Sequence, residues 1–219
     1  MQSCLLLQHL ERVDQEFSDT LTPLYVLSAL GLYLPLKKLI ESGPDMNKRE
    51  GHYGSALQAA SYRSRKSIVR LLLDHGADVN IKGGRYDSAL QAASYRGSES
   101  IVQLLLDHGA DANAQGGKYE TALRAASSEG HKNTVQILLD YGANVNSQGG
   151  GIYSTPIQAA LAGRHAEVSV LLLERGAIPT EYEGGTEAQA VLMRKDFKKF
   201  VETQWCDEGY DGDVGAQRW

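Results

Sequence analysis

The chain has 219 residues, 42% of them hydrophobic, and a net charge of −5, so it is long enough for one extended soluble domain. Its basic residues are scattered, which argues against a nucleic-acid surface, and the leucine run at 5–7 is too short for a signal peptide or a membrane span. The two cysteines, Cys4 and Cys206, stand at opposite ends without a disulfide framework, which favours a reducing compartment: the cytoplasm or, alternatively, the nucleus.

The first predicted element is a helix over residues 4–17. Its apolar residues Leu6, Leu10, Val13 and Phe17 share one face. We interpret residues 1–19 as an N-terminal capping helix, because the end of a repeat array needs a cover for its apolar face. The alternative is that this segment is the remnant of an upstream domain.

A unit of about 33 residues then occurs in five copies, and the residue pattern of each copy predicts two short helices followed by a hairpin. In the third copy, Ser88 is in the N-cap position, Gly97 ends the first helix and Gly109 caps the second. Helices of roughly 8 to 10 residues are unstable alone, so the copies must pack on one another. The copies are 20–52, 53–85, 86–118, 119–152 and 153–180, and helix pairs are expected at 56–63 with 67–75, 89–96 with 100–108, 122–129 with 133–141, and 156–162 with 167–175.

The two ends of the array are expected to differ from its middle. In the first copy, Pro35 falls early in the second helix, where proline is tolerated only in the first turn, so this copy should be the least regular. After the fifth copy, a capping box at 186–189 opens a helix, and we interpret 181–206 as a C-terminal capping helix. Residues 207–219 are rich in glycine and aspartate and are predicted to be disordered.

The repeated motifs resemble those of the ankyrin repeat. The matching segments are SALQAAS, TALRAAS and STPIQAA, followed by LLLDHGADVN, LLLDHGADAN, ILLDYGANVN and LLLERGA, and they cover about residues 20–180. The SALQAAS variant with its GG-x-Y hairpin is also similar to the ankyrin arrays of filamentous fungi, often found behind nucleotide-binding receptor modules. The resemblance implies an all-α ankyrin-repeat solenoid of helix-turn-helix units joined by hairpin loops, with helical caps.

Two positions depart from the usual ankyrin pattern. The position that holds histidine in the family, where it helps to join neighbouring repeats by hydrogen bonds, holds Gln58, Gln91, Arg124 and Gln158. Glutamine has both a donor and an acceptor, so it can take over part of this role. A tyrosine recurs in register at 53, 86, 119 and 153 and suggests a ladder of rings. Either each ring packs on the next hairpin, or the rings form an aromatic binding strip.

No catalytic, cofactor-binding or metal-binding constellation stands out in the sequence. His75 and His108 occupy equivalent positions of adjacent copies, where helices lie roughly 8 to 10 Å apart, too far for a shared zinc ion. They are predicted to complement helix C-termini instead. The glycine pairs at 83–84 and 116–117 are not followed by the Lys-Ser/Thr of a phosphate loop. We therefore expect neither an enzyme nor a cofactor.

The resemblance implies partner contacts at hairpin tips and at the ends of the first helices. Tyr62-Arg63 and Tyr95-Arg96 repeat a pair of residue types that dominate binding hot spots. These pairs are expected to lie outside the contacts between repeats, so that truncating them leaves the fold intact. The alternative is that the pair reflects recent duplication of two repeats. The predicted partner-binding residues are Tyr62, Arg63, Arg85, Tyr86, Tyr95, Arg96, Lys118, Tyr119, Ser128 and Glu129.

The expected function is a non-catalytic protein–protein interaction module, a scaffold or adaptor. We expect a monomer whose partner is another protein, with no direct contact to nucleic acid or membrane. One alternative is a transcription co-regulator, which a nuclear partner would distinguish from a cytosolic scaffold. Another is the sensor arm of a fungal nucleotide-binding receptor, for which genomic sequence upstream of Met1 would be decisive.

Overall fold

The computed structural model describes residues 21–150 and 154–178. Within these ranges the chain forms ten helices and no strand, as predicted for an all-α solenoid. The predicted caps at 1–19 and 181–206, the tail at 207–219 and Tyr153 lie outside the described residues.

The helices come in five pairs, and we refer to the first helix of each pair as the inner helix and the second as the outer helix. Their bounds in the four later repeats agree with the predicted ones to within one residue at each end. The inner helices are α1 (Pro23–Leu30), α3 (Ala56–Tyr62), α5 (Ala89–Tyr95), α7 (Ala122–Ser128) and α9 (Pro156–Ala162). The outer helices are α2 (Tyr33–Ile40), α4 (Lys66–Asp74), α6 (Glu99–Asp107), α8 (Lys132–Asp140) and α10 (Ala166–Glu174).

Each inner helix begins at a serine or threonine whose hydroxyl oxygen caps it. Ser88 accepts a hydrogen bond from the backbone N–H of Gln91 at 3.1 Å, and Ser55 and Thr121 each accept one at 3.2 Å from the residue three positions later. A cap of this kind stabilises a helix by about 1 kcal/mol. The predicted N-cap at Ser88 is therefore present, and its equivalents set the start of every inner helix.

The inner helices pack side by side in a row, with each one against the next. Small side chains allow this close approach: the alanine pairs at 59–60, 92–93 and 125–126 are all completely buried. The outer helices close the core with leucines such as Leu72 and Leu105, which are also fully buried. One continuous hydrophobic cluster runs from Leu24 to Ala177.

Two of the glutamines at the family histidine position, Gln58 and Gln91, do join neighbouring repeats. The Gln58 side-chain amide donates hydrogen bonds to three carbonyl oxygens in the hairpin that leads into the next repeat, at 2.8, 3.1 and 3.2 Å. Gln91 donates two equivalent bonds one repeat later, at 3.1 and 3.3 Å. Arg124 reaches the carbonyl of Gly150 at 3.2 Å from the same position.

A second set of bonds between repeats comes from an asparagine that recurs every 33 residues and that the sequence analysis left unassigned. Asn47, Asn80, Asn113 and Asn146 each accept a hydrogen bond, at 2.7 to 2.9 Å, from the backbone N–H 31 or 32 residues later. Three of the four also donate to a glycine carbonyl of the next repeat at 3.0 to 3.1 Å. The regular spacing of these asparagines was the signal that could have revealed them.

The first repeat is irregular in the predicted place and in one further place. Pro35 lies in the first turn of α2, where its missing N–H breaks no helical bond. Tyr25 stands where the next repeat has Gln58 and is 1% exposed. Its hydroxyl oxygen accepts a hydrogen bond from the backbone N–H of Tyr53 at 3.2 Å, so a tyrosine joins these two repeats at the position where Gln58 and Gln91 join the next ones.

Candidate protein-binding surface

Three hairpins are aligned along one face of the array. Each is closed by an isolated antiparallel bridge, at 50–54, 83–87 and 116–120. The backbone N–H of Arg85 donates to the carbonyl of His52 at 3.0 Å, and that of Lys118 donates to the carbonyl of Arg85 at 3.1 Å. Only glycine fits at position 84, because its φ is +66° and a Cβ there would lie 2.2 Å from the carbonyl carbon of Tyr53. The tips at Arg85 and Lys118 are thereby held in register.

Five tyrosine rings form a continuous stack between these hairpins and the ends of the inner helices. The order along the stack is Tyr53, Tyr62, Tyr86, Tyr95 and Tyr119, and consecutive ring centroids are 4.5, 5.2, 5.1 and 5.2 Å apart. Interplanar angles of 25° to 38° make these the offset contacts that aromatic rings prefer. We call this set the tyrosine stack.

The hairpin tyrosines pack within the array, and helix-end rings stack with them, which the sequence did not predict. The aromatic binding strip stays a prediction. Hairpin rings Tyr53 and Tyr86 are 7% and 2% exposed. Tyr62 lies between them, and Tyr95 lies between Tyr86 and Tyr119. The expectation that the Tyr-Arg pairs lie outside the contacts between repeats is therefore wrong for both helix-end tyrosines. The reason is geometric: the last turn of each inner helix lies beside its own hairpin and the next one.

Of the arginines of these pairs, Arg63 lies over a ring of its own repeat, whereas Arg96 lies over Tyr62 of the preceding repeat, so the expectation is wrong for Arg96 as well. Four exposed cations cover rings of the stack. The Arg63 guanidinium lies 5.9 Å from the ring centroid of Tyr53, and the Arg96 guanidinium lies 5.4 Å from that of Tyr62. At the hairpins, the Arg85 guanidinium lies 5.8 Å from the ring centroid of Tyr86, and the Lys118 ammonium lies 5.0 Å from that of Tyr119. These are cation–π distances. Within the described part of the chain, none of the four forms an ion pair. We call the stack and its four cations the tyrosine–cation stripe.

Two tyrosines of the stripe have raised pKa values. Burial raises the pKa of Tyr86 well above its ordinary value, and the neighbouring hydroxyls of Tyr62 and Tyr95 raise it further. Burial also raises the pKa of Tyr119, with smaller contributions from Tyr95 and from the carboxylate of Glu129. The arginines and the lysine supply the positive charge of the stripe.

Comparisons with known proteins bear on the whole array. The family model described as "Ankyrin repeats (3 copies)" matches residues 24–116 and 89–183, most of the chain. The chain is an ankyrin-repeat protein. Its fold is similar to that of the human ASB11 ankyrin repeat domain, with a TM-score of 0.62 and 28% sequence identity over 72% of this chain and 70% of that one. No curated protein sequence matches it.

Ankyrin repeats are generally protein–protein interaction modules, and the fold is typically a non-enzymatic scaffold. The ankyrin array described here has no helix long and apolar enough to cross a membrane among its placed residues. Eight of the ten predicted partner-binding residues belong to the tyrosine–cation stripe. Tyr53, which was predicted only as part of the tyrosine ladder, is the additional member.

The two remaining predicted residues, Ser128 and Glu129, mark the end of the stripe. The Ser128 hydroxyl donates to the carbonyl of Ala125 at 3.0 Å within its own helix, so it is committed to local structure. Glu129 is exposed and its charge acts on Tyr119. The Tyr-Arg pair of the two preceding repeats is thus replaced, one repeat later, by a position with negative charge.

The histidines of the ankyrin array serve its packing. His75 and His108 each lie with Nδ1 2.8 Å from the carbonyl oxygen four residues earlier, at the end of an outer helix. His131 and His165 each place Nε2 3.0 Å from a carbonyl oxygen at the end of the preceding repeat's inner helix. Across the described ranges, no group of three or more histidine, cysteine or acidic side chains is arranged to hold a metal ion.

Proposed function

We propose that this ankyrin array is a scaffold or adaptor that binds another protein through the tyrosine–cation stripe. The observation that carries the proposal is the line of four exposed cations, each over a tyrosine ring, with no ion pair to any described residue. Tyrosine and arginine are the residue types that contribute most to binding energy at protein interfaces. The stripe brings them together across three consecutive repeats.

The tyrosine stack also prepares this surface for binding. Each ring is held by the ring before and after it, so its orientation is fixed before a partner arrives. Immobilising a flexible side chain at an interface costs about 0.5 to 1.5 kcal/mol, and a ring that is already fixed avoids most of that cost. The half-buried rings of Tyr62, Tyr95 and Tyr119 expose apolar edges between the cations.

Affinity capture with matched variants tests the proposal. The stripe variant is Arg63→Gln with Arg96→Gln, which removes two exposed charges while the tyrosine stack stays in place. The control is Lys37→Gln with Lys38→Gln, which removes two charges from exposed positions of α2. Proteins captured from the native cell by the wild-type chain and by the control, and lost by the stripe variant, are the expected result. Identical captured sets for all three folded chains would contradict the proposal.

A further inference from the structure

The tyrosine–cation stripe is positive although the chain as a whole is negative, with 27 acidic and 22 basic residues. Among the acidic residues of the hairpins, Glu50 accepts a hydrogen bond from the backbone N–H of Thr22 at 3.0 Å and pairs with Lys48 at 3.3 Å. The charge of Glu120 acts on Arg124, and one carboxylate oxygen of Asp87 is buried without a hydrogen-bond partner among the described residues. The four cations of the stripe are exposed and form no ion pair with any described residue.

The rings beneath two of the cations are spaced like alternate side chains in an extended peptide. Arg85 and Lys118 cover Tyr86 and Tyr119, whose ring centroids are 6.2 Å apart. Two residues of a β-strand span about 6.6 Å, and their side chains lie on the same face. Carboxylates at alternate positions of such a strand would therefore have the spacing of the rings that these two cations cover.

We propose that the partner segment recognised by the stripe is an extended acidic peptide with aspartate or glutamate at alternate positions. This inference rests on the function proposed above and adds the chemistry of the partner. The exposed guanidiniums of the stripe form no ion pair with a described residue, and a guanidinium can form paired hydrogen bonds with a carboxylate. Bonds to charged groups of this kind give the partner a defined register along the repeats.

An acidic peptide fits the stripe better than a nucleic acid does. Duplex DNA carries about one negative charge per 1.7 Å of its axis, which is far denser than the rings beneath Arg85 and Lys118, whose centroids are 6.2 Å apart, and the chain as a whole is negative. A single strand of peptide can follow the line of cations and avoid the rest of the surface. At the far end, Glu129 is exposed and its charge acts on Tyr119, so the peptide residue bound nearest to Glu129 should be neutral or basic.

The experiment uses the full chain and labelled synthetic peptides in fluorescence anisotropy titrations. The probes are an alternating Glu-Thr peptide, a peptide of the same composition with its glutamates in one block, and an alternating Lys-Thr peptide. The expected result is that the alternating acidic peptide binds tightest and weakens with added salt. Binding should weaken roughly tenfold in the Arg85→Gln, Lys118→Gln variant, remain unchanged in the Lys37→Gln, Lys38→Gln control, and tighten in Glu129→Gln.

Each other outcome overturns the inference in a defined way. If the block peptide binds as tightly as the alternating one, the spacing is wrong. If the lysine peptide, a DNA oligonucleotide or vesicles with anionic lipid bind better, the partner class is wrong. If no acidic peptide binds, but the Arg63→Gln, Arg96→Gln variant loses proteins that the wild-type chain captures, only the acidic nature of the partner is rejected. If no acidic peptide binds and that variant captures the same proteins as the wild-type chain, the proposed function fails as well. Circular dichroism verifies that every variant is folded.

Discussion

Gly97 has two roles in this array, and its position in the sequence indicates only the first of them. The sequence identifies it as the residue that ends an inner helix, and its φ of +63° agrees. The structure adds that a Cβ at this position would lie 2.5 Å from the imidazole Nδ1 of His131, in the next repeat. That contact spans 34 residues and depends on how closely two repeats stack, so no local pattern could predict it.

Replacing Gly97 by alanine should destabilise the protein more than the same change at Gly109. Both glycines have positive φ, +63° and +83°, which costs an alanine about 1 to 2 kcal/mol at either site. At Gly97 the added methyl also meets the ring of His131, whereas nothing lies within 4 Å of a Cβ at Gly109. Overpacking of this kind adds about 1 to 3 kcal/mol to the loss of stability. Urea unfolding measures both variants. Equal losses would show that the array relaxes around the extra methyl.

Tyr86→Phe should make the protein more resistant to alkaline pH. The pKa of Tyr86 in the folded chain is raised above 10.0, whereas in the unfolded chain it is about 10. A raised folded-state pKa gives stability that is complete below the unfolded-state pKa and is lost as the pH rises towards the folded-state pKa. Wild-type stability should therefore fall above about pH 10, and less steeply in Tyr86→Phe, which has no hydroxyl to ionise.

The measurement for Tyr86 is a series of urea unfolding curves from neutral to alkaline pH. The control variant is Tyr33→Phe, which removes a hydroxyl from a ring that is 41% exposed. Its stability should fall with pH as steeply as that of the wild type. If Tyr86→Phe also follows the wild-type curve, the buried hydroxyl is not what limits stability in alkali.

At the scale of the element, the helices could be predicted closely and the contacts between them only in part. Hydroxyl caps such as Ser88 determine where each inner helix begins, glycines such as Gly97 follow the ends of several helices, and both signals are local. The role of Gln58 and Gln91 was accessible too, because a donor stands at a position known to join repeats in this family. The insertion of Tyr62 and Tyr95 between hairpin rings was not, because it depends on where the next repeat's hairpin lies.

Leu105→Ala should destabilise the array by about 2 to 5 kcal/mol, through lost burial and a residual cavity. Leu105 is completely buried in α6, with repeats on both sides. A matched control is Leu34→Ala in α2, where the leucine is 76% exposed and the change should stay within about 0.5 kcal/mol. Thermal and urea unfolding give both values. Similar losses at the two sites would mean that the outer helices do not close the core as described.

At the scale of the molecule, stability is built from contacts between neighbouring repeats. The inner helices pack in sequence, the glutamines and asparagines bond one repeat to the next, and the tyrosine stack passes from hairpin to hairpin. The stability of such an array is approximately the sum of terms for each repeat and for each interface between neighbours. Weakening the interface between two repeats should therefore make the array open locally at that interface.

Two double variants test this with the same chemistry at two interfaces. Gln91→Ala with Tyr95→Ala removes the amide bonds and the ring that join α5 to the following repeat. Gln58→Ala with Tyr62→Ala removes the equivalent groups one repeat earlier. The shorter side of each weakened interface keeps fewer stabilising neighbours, so it should open first.

Hydrogen exchange measured segment by segment shows where each variant opens, because locally opened segments lose protection before the rest of the chain unfolds. The Gln91, Tyr95 variant should lose protection mainly in α7 to α10, and the Gln58, Tyr62 variant mainly in α1 to α4. The wild-type chain provides the reference profile for both. If both variants accelerate exchange equally in all ten described helices, the array unfolds as one unit and its interfaces are strongly coupled. Opposite patterns in the two variants would establish that each interface holds its own neighbours, because the same pair of side chains was removed in both.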